Sequence, residues 1–190
     1  MKAETMPENE PQGYAIELFF DETTEKAILA FRESIYQAGV TPVLGSLKDR
    51  PHISLAVFGR QEPQHLIRIA ERFALQCPPM PVSLSALGSF PTDSNVVFLL
   101  PVVTTTLLGV HRDLHQILEE EKINSSHYYL PGHWVPHCTL ESDLADDQLN
   151  LAIHLCQKNF QPLSGNLTAV GVIAFRPLDY LAEFSLTKKE

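Results

Sequence analysis

Positive charge is scarce in this chain. Lysine and arginine total 14 against 23 aspartates and glutamates over 190 residues, a formal net charge of −9. A surface that grips long nucleic acid neutralises many phosphates at once, and a balance of this sign argues against one while leaving room for a local basic pocket. Cysteine is sparse as well: Cys77, Cys138 and Cys156 are odd in number and lie inside segments that read as regular structure. A disulfide framework is therefore not expected, and a reducing, cytoplasmic setting is. Long apolar runs are missing. The longest, "VVFLLPVV" at 96–103, falls far short of a membrane span and contains Pro101. The opening "MKAETMPENEPQG" has acids and prolines where a secretion signal needs an apolar stretch, so residues 1–13 are expected to form a flexible tail ahead of one domain over 14–190.

What is present is the composition of a globular protein, 44% apolar and 19% charged, enough for a packed core. "YAIELFF" (14–20) reads as a strand. The helix after it is capped by Asp21 or Thr23, carries an apolar stripe of Ile28, Phe31, Ile35 and Tyr36, and ends at Gly39. Further helices are expected around Leu66, Ile69, Ala70 and Phe73, then with Leu107, Leu108, Leu114 and Leu118 inward, and then across "DDQLNLAIHLCQKNF". Strands are expected at "PVSLSALGSF", "NVVFLLPV", "NLTAVGVIAF" and "LDYLAEFSL", with turns at "PTDS" and near Pro177.

Two further segments share a form. "RPHISLAV" (50–57) and "VPHCTLES" each open on a proline and place a histidine two positions before a hydroxyl residue. On a strand, His52, Ser54 and Ala56 point one way and Ile53, Leu55 and Val57 the other, which separates a face for chemistry from a face for the core. An offset of 85 residues carries His52 onto His137, Ser54 onto Thr139, Leu55 onto Leu140, Leu66 onto Leu151 and Phe90 onto Phe175 without a gap. The chain thus reads as a pseudo-twofold duplication of an α+β unit. The expected architecture is bilobal, with two antiparallel sheets lining a central cleft and helices on the outside.

A phosphodiester under attack loses a proton from the incoming nucleophile and gains one at the departing oxygen. Two imidazoles facing each other do both near neutral pH, and two hydroxyls donate to the non-bridging phosphate oxygens, with no metal or other cofactor required. "HISL" and "HCTL" in two matched halves resemble the paired His-x-Thr/Ser-hydrophobic motifs of the 2H phosphoesterase superfamily, the 2′-5′ RNA ligase-like and cyclic phosphodiesterase proteins. The first motif carries Ser where Thr is commoner in that family, and the hydroxyl is kept. The resemblance implies a bilobal fold and metal-independent hydrolysis of 2′,3′-cyclic or 2′-linked phosphodiesters. It also implies His52 and His137 as the acid/base pair and Ser54 and Thr139 as phosphate binders. The expected partner is a small nucleotide or an oligonucleotide end, handled by a monomer without long nucleic acid or membrane. Two alternatives stay open: a ligase acting on RNA ends, and a nucleotide-binding module without turnover.

Other features carry less. Tyr128, Tyr129 and Trp134, just ahead of the second motif, offer either a stacking wall for a base or packing for a long loop. Lys48, Arg50 and Arg176 supply either potential at the site or solubility. His111 and His115 lie four apart on a helix, but "HRDLH" has Arg where a zinc protease has Glu, so they are expected to face solvent or line the helix; Pro136 bars reading His133 and His137 as one helical turn. His65 and His154 are expected to be surface or partly buried helix residues, and Cys138, alternating away from His137 and Thr139, is expected to be buried and inert.

Overall fold

The computed structural model describes residues 10–42, 49–90 and 92–187. Most of the expected tail, together with Lys48 and Pro91, lies outside the described residues. The elements run β1 (Gly13–Phe20), α1 (Glu22–Gln37), β2 (His52–Phe58), α2 (Pro63–Ala74), β3 (Met80–Ser89), β4 (Val97–Pro101), α3 (Thr105–Glu120), β5 (Cys138–Glu141), α4 (Asp146–Asn159), β6 (Leu163–Phe175) and β7 (Asp179–Ser185). Local chemistry sets their ends. The Asp21 carboxylate accepts from the Thr24 amide at 2.9 Å, Thr104 accepts from the Leu107 amide at 3.1 Å, and Gly39, at φ 113°, takes the left-handed turn that stops α1. The apolar stripe of α2, Leu66, Ile69, Ala70 and Phe73, is buried. On α3 the buried stripe is Leu107, Val110, His111, Leu114, Ile117 and Leu118, whereas Leu108 is 47% exposed. Expected to point inward, Leu108 lies one residue, about 100° of helical rotation, off the stripe that faces the sheet.

Every strand pair is antiparallel, and all seven strands belong to one sheet in the order β2-β1-β6-β3-β4-β5, with β7 also on β6. This corrects the expectation of two sheets. The reason is β6, which is long enough to serve both halves: Leu163–Leu167 pair with β3, and Leu167–Phe175 pair with β1. The duplication is nonetheless written into the strand order, because exchanging β1, β2, β3 with β4, β5, β6 reads the same order backwards. Pro81 and Asn166, related by the 85-residue offset, are themselves register partners, so the pseudo-twofold passes between β3 and β6 at that pair. Among the described residues β7 has no counterpart in the first half, and it takes the stretch of β6 beyond β3.

The main core lies between sheet and helices, with Ile16, Leu18, Ile28, Ile53, Leu55, Phe73, Leu99, Leu114 and Leu140 among its members. A smaller cluster of Ala15, Phe19, Ala169 and Ile173, with Val57 and Phe175 against it, sits apart from this core. Ala15, Val57, Ile173 and Phe175 from that cluster form part of a cleft wall.

Candidate active site

The strict alternation expected of the first motif breaks at one residue. Ile16 pairs with Ala56 and Glu17 with Ser54, leaving Leu55 as the extra residue of a β-bulge. Beyond it the faces exchange: Ala56 is buried in the core, and Val57, expected inward, lines the cleft instead. The second motif repeats the device. Val97 pairs with Glu141 and Phe98 with Thr139, so that Leu140 is the extra residue, and Ser142 lines the cleft as Val57 does. Each bulge keeps its motif leucine wholly in the core, Leu55 at 0% and Leu140 at 1% exposure, while its histidine and hydroxyl face outward.

His52, Ser54, His137 and Thr139 all line one cleft of about 1080 Å³. His137 stands one residue ahead of β5, yet its Nδ1 is held in the same way as that of His52. The Nδ1 of His52 lies 2.8 Å from the Arg50 carbonyl oxygen and the Nδ1 of His137 lies 2.7 Å from that of Val135, each two residues back. Arg32, buried on α1, joins the motif segments by donating to the Asp49 oxygen at 2.8 Å and the Thr139 oxygen at 3.0 Å.

The surroundings of the two histidines differ. Glu17 brings Oε1 to 3.2 Å from His52 Nε2, and Ser54 donates to the same oxygen at 3.4 Å. Burial alone would lower the His52 pKa, but the carboxylates of Glu17 and Asp49 and the Arg50 carbonyl outweigh it, and the net shift is upward. Burial pushes the Glu17 carboxyl up to about 7 against the pull of His52. His137 instead packs against Phe90 and Phe98, with ring centroids at 4.9 and 5.1 Å, and those two rings touch each other at 4.4 Å. Burial, helped by the charge of His52 and opposed by the Val135 carbonyl, moves its pKa down. Phe98 has room because its partner in β3 is Gly88, where a Cβ would come within 2.3 Å of the Phe98 ring.

Tyr128, Tyr129 and Trp134 all reach the cleft wall, in different ways. Tyr128 is 78% exposed at the rim. Trp134 stacks on His111 with centroids 4.0 Å apart and donates its indole N–H to the Ser54 carbonyl at 3.0 Å, so one face of the ring is already occupied. His111 is buried rather than solvent-facing, 2.9 Å from the Tyr129 oxygen, and His115 lies 3.2 Å from that of Leu55. Burial, with His115 beside it, drops the His111 pKa to about 4. These histidines brace the wall, and among the described residues no three His, Cys, Asp or Glu side chains are grouped to hold a metal ion. Cys138 is fully buried, its thiol pushed up to about 12 by burial, as its alternation required. Arg50 is committed to Glu25 at 2.9 Å and to Glu183, and Arg176, on the cleft wall, to Asp143 at 3.0 Å.

Glu17, Phe90, Phe175 and Tyr180 line the cleft, Arg32 and Phe98 support its motif residues, and none of the six was given a role from the sequence. Signals existed for several: Glu17 interrupts the apolar strand "YAIELFF", Arg32 sits in the Ile28–Ile35 stripe, and Phe90 and Phe175 are a matched pair under the 85-residue offset.

Solved structures share this fold. Over 94% of this chain and the whole of each partner, it is similar to Escherichia coli LigT complexed with 3′-AMP (TM-score 0.63, 19% identity) and to TT0787 of Thermus thermophilus (TM-score 0.64, 18% identity). Usb1 of Kluyveromyces marxianus is similar at TM-score 0.51 and 16% identity, over 94% of this chain and 99% of that one. No curated protein matches the sequence. No helix among the described residues is long and apolar enough to cross a membrane. The profile of the 2′-5′ RNA ligase superfamily matches residues 20–176, from the last residue of β1 to just past β6 and so through both motif strands, and the chain belongs to that superfamily.

Proposed function

We propose that the protein is a metal-independent phosphodiesterase that hydrolyses 2′,3′-cyclic or 2′-linked phosphodiesters of a small nucleotide or RNA end. The observation that carries this reading is the convergence of two pseudo-equivalent histidines, each with Nδ1 held by the carbonyl two residues back, and two hydroxyl residues on one cleft. In it one imidazole Nε2 takes the proton of the attacking water, the other protonates the departing ribose oxygen, and Ser54 and Thr139 donate to the non-bridging oxygens, where charge grows in the transition state. LigT, whose fold is similar, has been solved with 3′-AMP, with ATP and with phosphate, which favours a nucleotide of this size here. Charge favours a small substrate too. Among the described residues the cleft carries Glu17, Asp49 and Asp179, its cation Arg176 is paired with Asp143, and a long polyanion gains little from such walls.

The test is turnover on a panel of 2′,3′-cyclic mononucleotides, cyclic-ended oligonucleotides and 2′-5′ oligoadenylates, with and without EDTA. Hydrolysis of a small member that persists under chelation is expected. Joining of RNA ends would make the protein a ligase, and binding of the whole panel without turnover would make it a nucleotide-binding module. Loss of activity in EDTA with recovery on adding zinc or manganese would overturn the metal-free mechanism.

A further inference from the structure

We infer that Glu17 divides the labour between the two histidines, holding His52 as the proton donor and leaving His137 as the proton acceptor. The chemistry of this inference rests on the phosphodiesterase reading; the charge states do not.

A backbone carbonyl only accepts hydrogen bonds, so Nδ1 carries a proton in both rings and the neighbours of each Nε2 decide its role. At His52, Nε2 and Glu17 Oε1 stand 3.2 Å apart. Two bare acceptors do not face each other at that distance in a buried site, so a proton lies between them. At His137 the rings packed against the imidazole are those of Phe90 and Phe98, which offer Nε2 neither a proton nor a counter-charge. The difference follows from the paired bulges, which set Glu17 opposite Ser54 and, at the equivalent place in the other half, Phe98 opposite Thr139.

Glu17 is costly where it stands. It is 2% exposed, and its Oε2 has no hydrogen-bond partner among the described residues, an arrangement that stability alone does not reward. The groups facing His52 come from four sides: Glu17 on β1, Asp49 ahead of β2 with Oδ1 3.7 Å from Nδ1, Arg32 on α1 in opposition, and His137 beside β5. Tyr180 of β7 donates to Asp49 at 3.3 Å, and in the substrate-free cleft Ser54 donates to Glu17 at 3.4 Å, a proton it turns to the phosphate when substrate binds. The upward shift of His52 and the downward shift of His137 agree with this geometry.

In the reaction, a water oxygen forms a bond to phosphorus and its proton passes to His137 Nε2. The bond from phosphorus to the ribose oxygen breaks with its electron pair staying on that oxygen, which becomes a stronger acceptor than Glu17 and takes the proton from His52 Nε2. A phosphomonoester and a free hydroxyl leave, and one proton returns through solvent from His137 to the His52–Glu17 pair. Glu17 is a positioning residue here, since it acts through His52.

The deciding experiment is an NMR titration of the imidazole nitrogens in the substrate-free wild-type protein, with a pH–rate profile of Glu17→Gln beside it. His52 is expected to stay cationic to a higher pH than His137. An amide at position 17 removes the counter-charge, so the alkaline limb of the profile, which reports loss of the donor's proton, moves to lower pH while the acid limb stays. Turnover falls by roughly 10²-fold, the low end for a positioned proton transfer. Glu17→Asp recovers part of both effects. Should His137 hold its proton to the higher pH, or should Glu17→Gln leave the alkaline limb in place, the inference is overturned. The wild-type titration decides even where the variant fails to fold or no substrate of the panel is turned over, and the latter result would count against the phosphodiesterase reading alone.

Discussion

The indole N–H of Trp134 donates to the backbone oxygen of Ser54 at 3.0 Å, while His111 of α3 stacks on the same ring. Helix, aromatic segment and first motif strand therefore form one post behind the cleft, and the position of Ser54 depends on a ring 80 residues further along the chain.

Trp134→Phe keeps an aromatic face for His111 and removes the donor. It is expected to cost about 1 kcal/mol, the net worth of a buried hydrogen bond, and to lower turnover several-fold as Ser54 loosens. Urea denaturation with kinetics on the same preparation checks both; unchanged stability would show that the post does not depend on this bond.

His111 predicts how stability depends on acid. Its folded-state pKa, about 4, lies below the ordinary value of about 6.5, so between those limits the unfolded chain binds more protons. The stability from a neutral His111 is complete above pH ~6.5 and declines as pH falls through that window, by roughly 3 kcal/mol at most. His111→Gln keeps a donor for the Tyr129 carbonyl without titrating and is expected to flatten this part of the curve, as read by denaturant melts from neutral to acid pH.

His52→Ala and His137→Ala are each expected to lower turnover by roughly 10²- to 10⁴-fold, and the double variant by far less than the product, because both groups assist one step. Thr139→Ala is expected to cost about 2 to 4 kcal/mol of transition-state stabilisation if its hydroxyl meets a phosphate oxygen. Fully multiplicative losses in the double variant would mean that the histidines do not act on the same phosphate.

Leu55→Ala and Leu140→Ala should do the reverse. Each leucine is the buried extra residue of a bulge, and truncation is expected to cost about 2 to 5 kcal/mol through the cavity left behind. Thermal melts of these variants beside the histidine variants separate core from site: a histidine variant that unfolds as readily as Leu140→Ala would place that histidine in the core.

Much of this fold was legible because the duplication is periodic in sequence. The offset that carries His52 onto His137 also carries Pro81 onto Asn166, the pair through which the pseudo-twofold passes, and Phe90 onto Phe175, which share the cleft wall. Sequence periodicity does not report which strands exchange hydrogen bonds, so a single sheet and a pair of sheets leave the same alternation. Nor does it report a bulge, which shows only as Val57 facing the cleft where a regular strand would turn it inward. Glu17 and Arg32 escaped notice for a related reason: each is a lone charge on an otherwise apolar segment, and what it meets lies on another element, Ser54 and His52 for the one, Asp49 and Thr139 for the other.

β6 makes the enclosure mechanically stiff. One unbroken strand ties the half that carries His52 to the half that carries His137, through β1 on one edge and β3 on the other. Swinging the halves apart at this strand would rupture backbone hydrogen bonds along β6. A substitution that strains the β3–β6 seam would be felt by both histidines at once, however far from either it lies.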